Sequence, residues 1–146
     1  MAATNGSINC PRCGTRLAYR NAPHPCGWYF ESTFLAGQTP RVVDLYRRFA
    51  DLVQRCGPVV RVPMRTRIGF QANGVIAAVL LRNDWLDAYV VLPERTEHPR
   101  FVRIDAQEDE THLHHFTIAE TSELDEEVRR WLQRAYQADT AATSLP

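Results

Sequence analysis

The chain has 146 residues, 45% of them hydrophobic, and its 17 basic residues balance 17 acids for a formal net charge of zero. That length holds one ordinary domain, or a small module beside a compact one. The neutral total counts against strong nonspecific binding to nucleic acid, and the longest apolar run, Val75 to Leu81, is too short to span a membrane.

Residues 1–8 are small and polar, with no apolar signal core, and are expected to be disordered and the protein cytoplasmic. Residues 9–38 read as a zinc knuckle and linker. Cys10-Pro11-Arg12-Cys13-Gly14 is followed by His24-Pro25-Cys26-Gly27, a C-x2-C-x10-H-x-C pattern that holds three of the four cysteines. Four Cys and His ligands at such spacing suit a closed, tetrahedral, structural Zn²⁺ bound by Cys10, Cys13, His24 and Cys26. The two glycines permit the tight turns that bring sulfurs to one point. A Cys10–Cys13 or Cys13–Cys26 disulfide is the competing reading. A redox C-x-x-C normally opens a helix after a strand, and no strand pattern precedes Cys10. Metal binding would supply most of the folding free energy of so short a knuckle. Trp28, Tyr29, Phe30, Phe34 and Leu35 are expected to pack it against the main body.

Residues 39–138 read as an α+β domain. Thr39 and Pro40 start a helix as N-cap and first helical residue. Val42, Leu45, Tyr46, Phe49, Leu52 and Val53 form its apolar stripe, and Gly57-Pro58 stops it. Cys56 lies apart from the knuckle and reads as a small, partly buried residue. Val59 to Val62 is extended. Thr66, Ile68 and Phe70 alternate with Arg65, Arg67 and Gly69, which places Arg65 and Arg67 on one strand face. Asn73-Gly74 signals a hairpin into the central strand Val75 to Leu81. Trp85 to Leu92, Phe101 to Ile104 and Leu113 to Ile118 follow as strands. Ser122 is expected to cap a final helix whose first turns are acidic, with Leu124, Val128, Trp131, Leu132, Ala135 and Tyr136 as its apolar stripe. Residues 139–146 read as a frayed tail. The links between strands are short, which favours antiparallel pairing. The expected fold is therefore an N-terminal zinc knuckle followed by a mainly antiparallel sheet of about five or six strands, with two helices packed on one face.

Charge is unevenly spread. Residues 1–30 carry three arginines and no acid, residues 41–103 eleven arginines and six acids, and residues 104–146 three arginines against ten acids. Arg12, Arg16, Arg20, Arg65 and Arg67 are thus candidates for tracking a phosphate backbone. The plainer readings are a solvated face paired with the acidic last third, and arginines that neutralise an anionic zinc site. The absence of lysine points to genome composition and weakens any argument from arginine chemistry. On a strand, His112 and His114 share one face and His115 takes the other, so these histidines are candidate metal ligands or proton carriers. Surface or half-buried strand histidines with local hydrogen bonds are the alternative.

Residues from about 40 to 138 resemble a bacterial family known only as a domain of unknown function. The resemblance rests on Leu45-Tyr46, Thr66-x-Ile68-x-Phe70, His114-His115 and Trp131-Leu132-x-x-Ala135-Tyr136. It extends to a Cys-Pro-x-Cys-Gly knuckle that some members carry ahead of the domain, similar to Cys10 to Gly14. It implies an α+β fold and no established activity.

With no phosphate-binding loop, nucleophile elbow or H-E-x-x-H motif, the sequence leans away from catalysis. It favours a zinc-containing module that contacts nucleic acid or a protein. The alternative is a small-ligand binder or enzyme that uses the basic strand and the strand histidines. Metal analysis of the purified protein should find one Zn²⁺ per chain, with most of it lost in Cys13→Ser; equal, negligible zinc in both would refute the ligand set.

Overall fold

The computed structural model describes residues 8–9, 16–17 and 30–144. The proposed ligands Cys10, Cys13, His24 and Cys26 lie outside the described residues, as do Arg12 and Arg20. Two short strands, β1 (Ile8–Asn9) and β2 (Arg16–Leu17), pair antiparallel.

A short helix, α1 (Glu31–Leu35), lies where the sequence suggests linker. Its first residue ties it to the rest. The Glu31 carboxylate accepts a hydrogen bond from the Tyr46 hydroxyl and another from Arg61 Nη1 at 2.6 Å. The Arg61 guanidinium lies 5.8 Å from the Tyr46 ring centroid and also donates to Gln54 Oε1 at 2.9 Å. Burial raises the Glu31 pKa, but these two donors outweigh it and leave the carboxyl below its ordinary value. Of the five apolar residues expected to pack here, Phe34 and Leu35 do so against the core and Phe30 is exposed; Trp28 and Tyr29 lie outside the described residues. The packed body therefore includes the residues from Glu31 onward, ahead of residue 39.

The main helix, α2 (Pro40–Arg55), has the predicted start: Thr39 Oγ1 accepts from the Val42 N–H at 3.3 Å, and Pro40 occupies the first position. Val42, Leu45, Tyr46, Phe49, Ala50 and Val53 are buried. Gly57 ends the turn with φ +152°, and a Cβ there would collide with the Tyr136 ring, so only glycine fits without rearrangement.

Six antiparallel strands follow: β3 (Val60–Pro63), β4 (Ile68–Gln71), β5 (Val75–Leu81), β6 (Leu86–Leu92), β7 (Arg103–Ala106) and β8 (His112–Ile118). Their spatial order is β3-β4-β5-β6-β8-β7, so the first four form a meander and β8 inserts between β6 and β7. β7 begins two residues later than the sequence suggests. Phe101 closes a turn onto the His98 carbonyl and packs on Trp131, with ring centroids 4.4 Å apart, so it is drawn into the core and out of the strand. A bulge opposite Phe70 and Gln71 sends both Ile76 and Ala77 toward the core.

The last helix, α3 (Glu126–Ser144), lies beside α2 on the same sheet face, as predicted. Ser122 does not cap it. Residues Thr121–Glu123 form a separate 3-10 turn in which Glu123 Oε1 accepts from the N–H groups of Ala119 at 2.7 Å and Glu120 at 2.9 Å. Asp125 then caps α3, accepting from the Val128 N–H at 3.2 Å.

The helix also continues past residue 138, where fraying was expected. Asp139 lies over the Asn73-Gly74 turn, and its carboxylate accepts from the Asn73 N–H at 2.7 Å and the Gly74 N–H at 2.9 Å. This anchors the end of α3 to the β4–β5 hairpin. Hydrogen bonds to a charged group contribute about 1.5–3 kcal/mol each. Asp139→Ala should lower the urea midpoint by the equivalent of about 1–3 kcal/mol and speed exchange of the Gly74 amide. An unchanged midpoint would mean the hairpin is held without this cap.

A candidate ligand cleft on the sheet face opposite the helices

A strand sends alternate side chains to opposite faces. Ile68, Phe70, Leu86, Ala88, Val90, Phe116 and Ile118 face α2 and α3 and close the core. Their neighbours face the other way. Strand register aligns Val62, Gly69, Ala78, Tyr89, His115 and Arg103 in one row across all six strands. Gly69 and Ala78 carry the smallest side chains of this row, and Val62, Ala78 and Tyr89 are buried although they face away from the helices. A Cβ on Gly69 would lie 2.6 Å from the Met64 methyl, so glycine lets Met64 fold down at the rim.

Two adjoining hollows share Arg67 and Tyr89. The smaller, of about 330 Å³, is lined by Arg67, Arg82, Asp87, Tyr89, Arg103 and His115. The larger, of about 570 Å³, is lined by Val62, Met64, Gln71, Val91, Thr111 and Leu113 among others. Both volumes fall in the range of small-molecule sites, roughly 300–1,000 Å³.

Arg67 leads from the β3–β4 turn onto this face. Its guanidinium lies 5.8 Å from the Tyr89 ring centroid. Its buried Nε has no hydrogen-bond partner, and among the described residues it forms no ion pair. Tyr89 in turn packs on His115, with ring centroids 5.4 Å apart. The neighbouring arginines are anchored through Nε: Arg82 donates to Asp87 at 2.6 Å and Arg103 to Asp105 at 3.0 Å. His115 Nε2 lies 3.0 Å from Asp105 Oδ2 and 3.3 Å from Arg103 Nη2. Burial and the Arg103 charge lower the His115 pKa more than Asp105 raises it, which favours the neutral ring.

The sequence candidates scatter over the molecule. Arg67 and His115 come together in the smaller hollow. Arg65 does not share a strand face with Arg67; it sits exposed in the tight turn closed by the Met64 N–H bonding to the Arg67 carbonyl at 2.7 Å. Arg16 lies beside Gln107, Glu108 and Asp109.

His112 and His114 lie on the helix side, opposite His115, as the alternation predicts. His114 is fully buried. Its Nε2 accepts from the Thr96 N–H at 2.9 Å and its Nδ1–H donates to the His112 carbonyl at 3.1 Å. Both nitrogens are used, so this ring is a strut for the loop between β6 and β7. Among the described residues, no group of three or more His, Cys, Asp or Glu side chains is arranged to hold a metal.

Arg82, Tyr89 and Arg103 were missed in the sequence because their relation to Arg67 depends on strand order. The Arg103-x-Asp105 spacing on an edge strand is the one local signal that pointed to this face.

These features define a small α+β domain with one helix-covered sheet face and an opposite face of mixed basic and aromatic character. The chain belongs to the family described as Domain of unknown function (DUF5655), whose model matches residues 31–139. The match opens at the residue that anchors α1. No curated protein and no solved structure matches the chain. Among the described residues, no helix is long and apolar enough to cross a membrane.

Burial also lowers the His114 pKa, so both histidines bind protons more weakly folded than unfolded. Their contribution to stability is complete above the unfolded value of about 6.5 and declines as pH falls below it. The urea midpoint should therefore drop between pH 7 and pH 5.5. In NMR titrations Arg103→Gln should raise the His115 pKa and Asp105→Asn should lower it further. Shifts in the reverse directions would mean that the ring does not sit between these two groups.

Proposed function

We propose that the protein is a small-ligand-binding module whose sheet face opposite the helices takes an anionic group, with a structural Zn²⁺ held by Cys10, Cys13, His24 and Cys26 in the N-terminal knuckle. The observation that carries the ligand reading is Arg67: a cation with no ion pair among the described residues, 5.8 Å from the Tyr89 ring centroid, sharing one hollow with His115 and Arg103. Anchored through Nε, Arg103 and Arg82 keep Nη groups for a ligand. A planar guanidinium suits the bidentate grip of a carboxylate or phosphate.

This reading shifts weight from a nucleic-acid or protein partner toward the small ligand. A phosphate backbone needs a continuous basic track. Here Arg61 is turned away and bound to Glu31, Arg16 lies beside acidic residues, and Arg65 stands apart in a turn. Arg67, Arg82 and Arg103 line one hollow, the last two already paired with Asp87 and Asp105, which suits one anion rather than a strand.

Titration calorimetry with inorganic phosphate at low ionic strength is the direct test. Binding should be saturable, at one site per chain, and Arg67→Gln should weaken it about tenfold or more, as loss of a charged hydrogen-bond pair implies. Phosphate affinity equal in both proteins, or none in either, would overturn the assignment. Tighter binding of single-stranded oligonucleotides that grows with length would restore the backbone-tracking reading.

A further inference from the structure

The two hollows differ in chemistry in a way that sets the direction of a ligand. The smaller holds Arg67, Arg82, Arg103 and His115; Asp87 pairs with Arg82, and Asp105 with Arg103 and His115, which leaves the Arg67 charge unpaired among the described residues. The larger is walled by Val62, Met64, Val91 and Leu113, and Asp109 stands at its rim. Hydrogen bonds from the Thr111 hydroxyl and N–H hold the Asp109 carboxyl below its ordinary value, so the rim carries negative charge. The smaller hollow therefore attracts an anion more strongly than the larger, whose surface mixes apolar side chains with Asn9, Gln71, Gln107 and Thr111.

Resting on the anion-binding reading above, we propose that the cleft is bipartite and binds a phosphate ester of a flat heteroaromatic body, of the nucleoside monophosphate class. The phosphate sits among Arg67, Arg82 and Arg103, and the ring lies over Val91 and Leu113.

Three features favour a flat body. The two hollows meet at the Arg67–Tyr89 pair, so any ligand spanning both must cross the Arg67 guanidinium. Arginine planes are good stacking partners for bases. Second, the larger hollow is apolar in its walls but edged by Gln71, Gln107 and Asp109, which supply donors and acceptors for the edge of a base. Third, its volume of about 570 Å³ leaves room for a ring and sugar beyond the phosphate. The same chemistry is presented by a free nucleotide and by the phosphorylated 5′ end of a strand.

Calorimetry on the full chain separates the parts, with inorganic phosphate, four nucleosides, the matching nucleoside 5′-monophosphates and a 5′-phosphorylated trinucleotide as probes. At least one monophosphate should bind about tenfold or more tighter than phosphate and than its own nucleoside, since the two halves reinforce each other. Arg103→Gln should weaken phosphate and monophosphate alike. Val91→Gln should weaken the monophosphate more than it weakens phosphate, and retained phosphate binding reports that the variant is folded; Leu113→Gln is the second variant for the same lobe. A trinucleotide that matches the monophosphate supports a strand end as the source, and its exclusion supports the free nucleotide. If every monophosphate binds no better than phosphate, the bipartite cleft is wrong while the anion site stands. If neither phosphate nor any monophosphate binds, both are wrong.

Discussion

The burial of one sheet face beneath α2 and α3 is the constraint from which the rest of the structure follows. Phe49 and Phe70 meet with ring centroids 5.7 Å apart, and Phe116 and Trp131 with 5.2 Å, so each helix is joined to the sheet through an aromatic pair. Full burial of a large apolar side chain stabilises by about 1.5–3 kcal/mol, and the buried set includes Leu45, Tyr46, Ile68, Leu86, Ile118 and Leu132. The strand period is two, so fixing one face fixes the other. Gly69, Tyr89 and His115 face outward because Ile68, Phe70, Ala88, Val90, His114 and Phe116 face inward.

The adjacent histidines His114 and His115 show how sharply that alternation divides roles. They have the same side chain and neighbouring places in the chain. His114 is sealed under Phe101, at 4.8 Å between ring centroids, with both ring nitrogens hydrogen-bonded to backbone. His115 faces the cleft, between a carboxylate and a guanidinium. The first supports the fold and the second lines the smaller hollow.

Most of the charge on this molecule does little for stability. Pairs such as Arg48–Asp44 and Arg55–Asp51 are exposed along α2. Such pairs are worth about 0.2–1 kcal/mol and weaken in salt. The Glu31–Arg61–Tyr46 group is different, because it is partly buried and links α1 to both α2 and β3. Arg67 is different again. It makes no ion pair among the described residues and lies where the two hollows meet, beside Tyr89.

Much of the fold was legible in the residues themselves. Thr39-Pro40, the Asn73-Gly74 hairpin, the apolar stripes of the two long helices and the alternation through His112, His114 and His115 are local signals, written within a few residues of where they act. The candidate knuckle ligands were also named from local spacing, and they lie outside the described residues. What the chain alone did not decide were the features that depend on distant partners. Residues 139–144 looked like a tail because their polar, small side chains say nothing of the hairpin amides that Asp139 meets. Residues 31–35 looked like a linker because the partners of Glu31 lie on α2 and β3. The row joining Arg67, Tyr89, His115 and Arg103 was decided by the insertion of β8 between β6 and β7, a choice made by packing of the whole sheet. Helix stripes and turns come from short-range sterics and periodicity, whereas strand order and the cleft come from the one arrangement that buries a single face of the sheet.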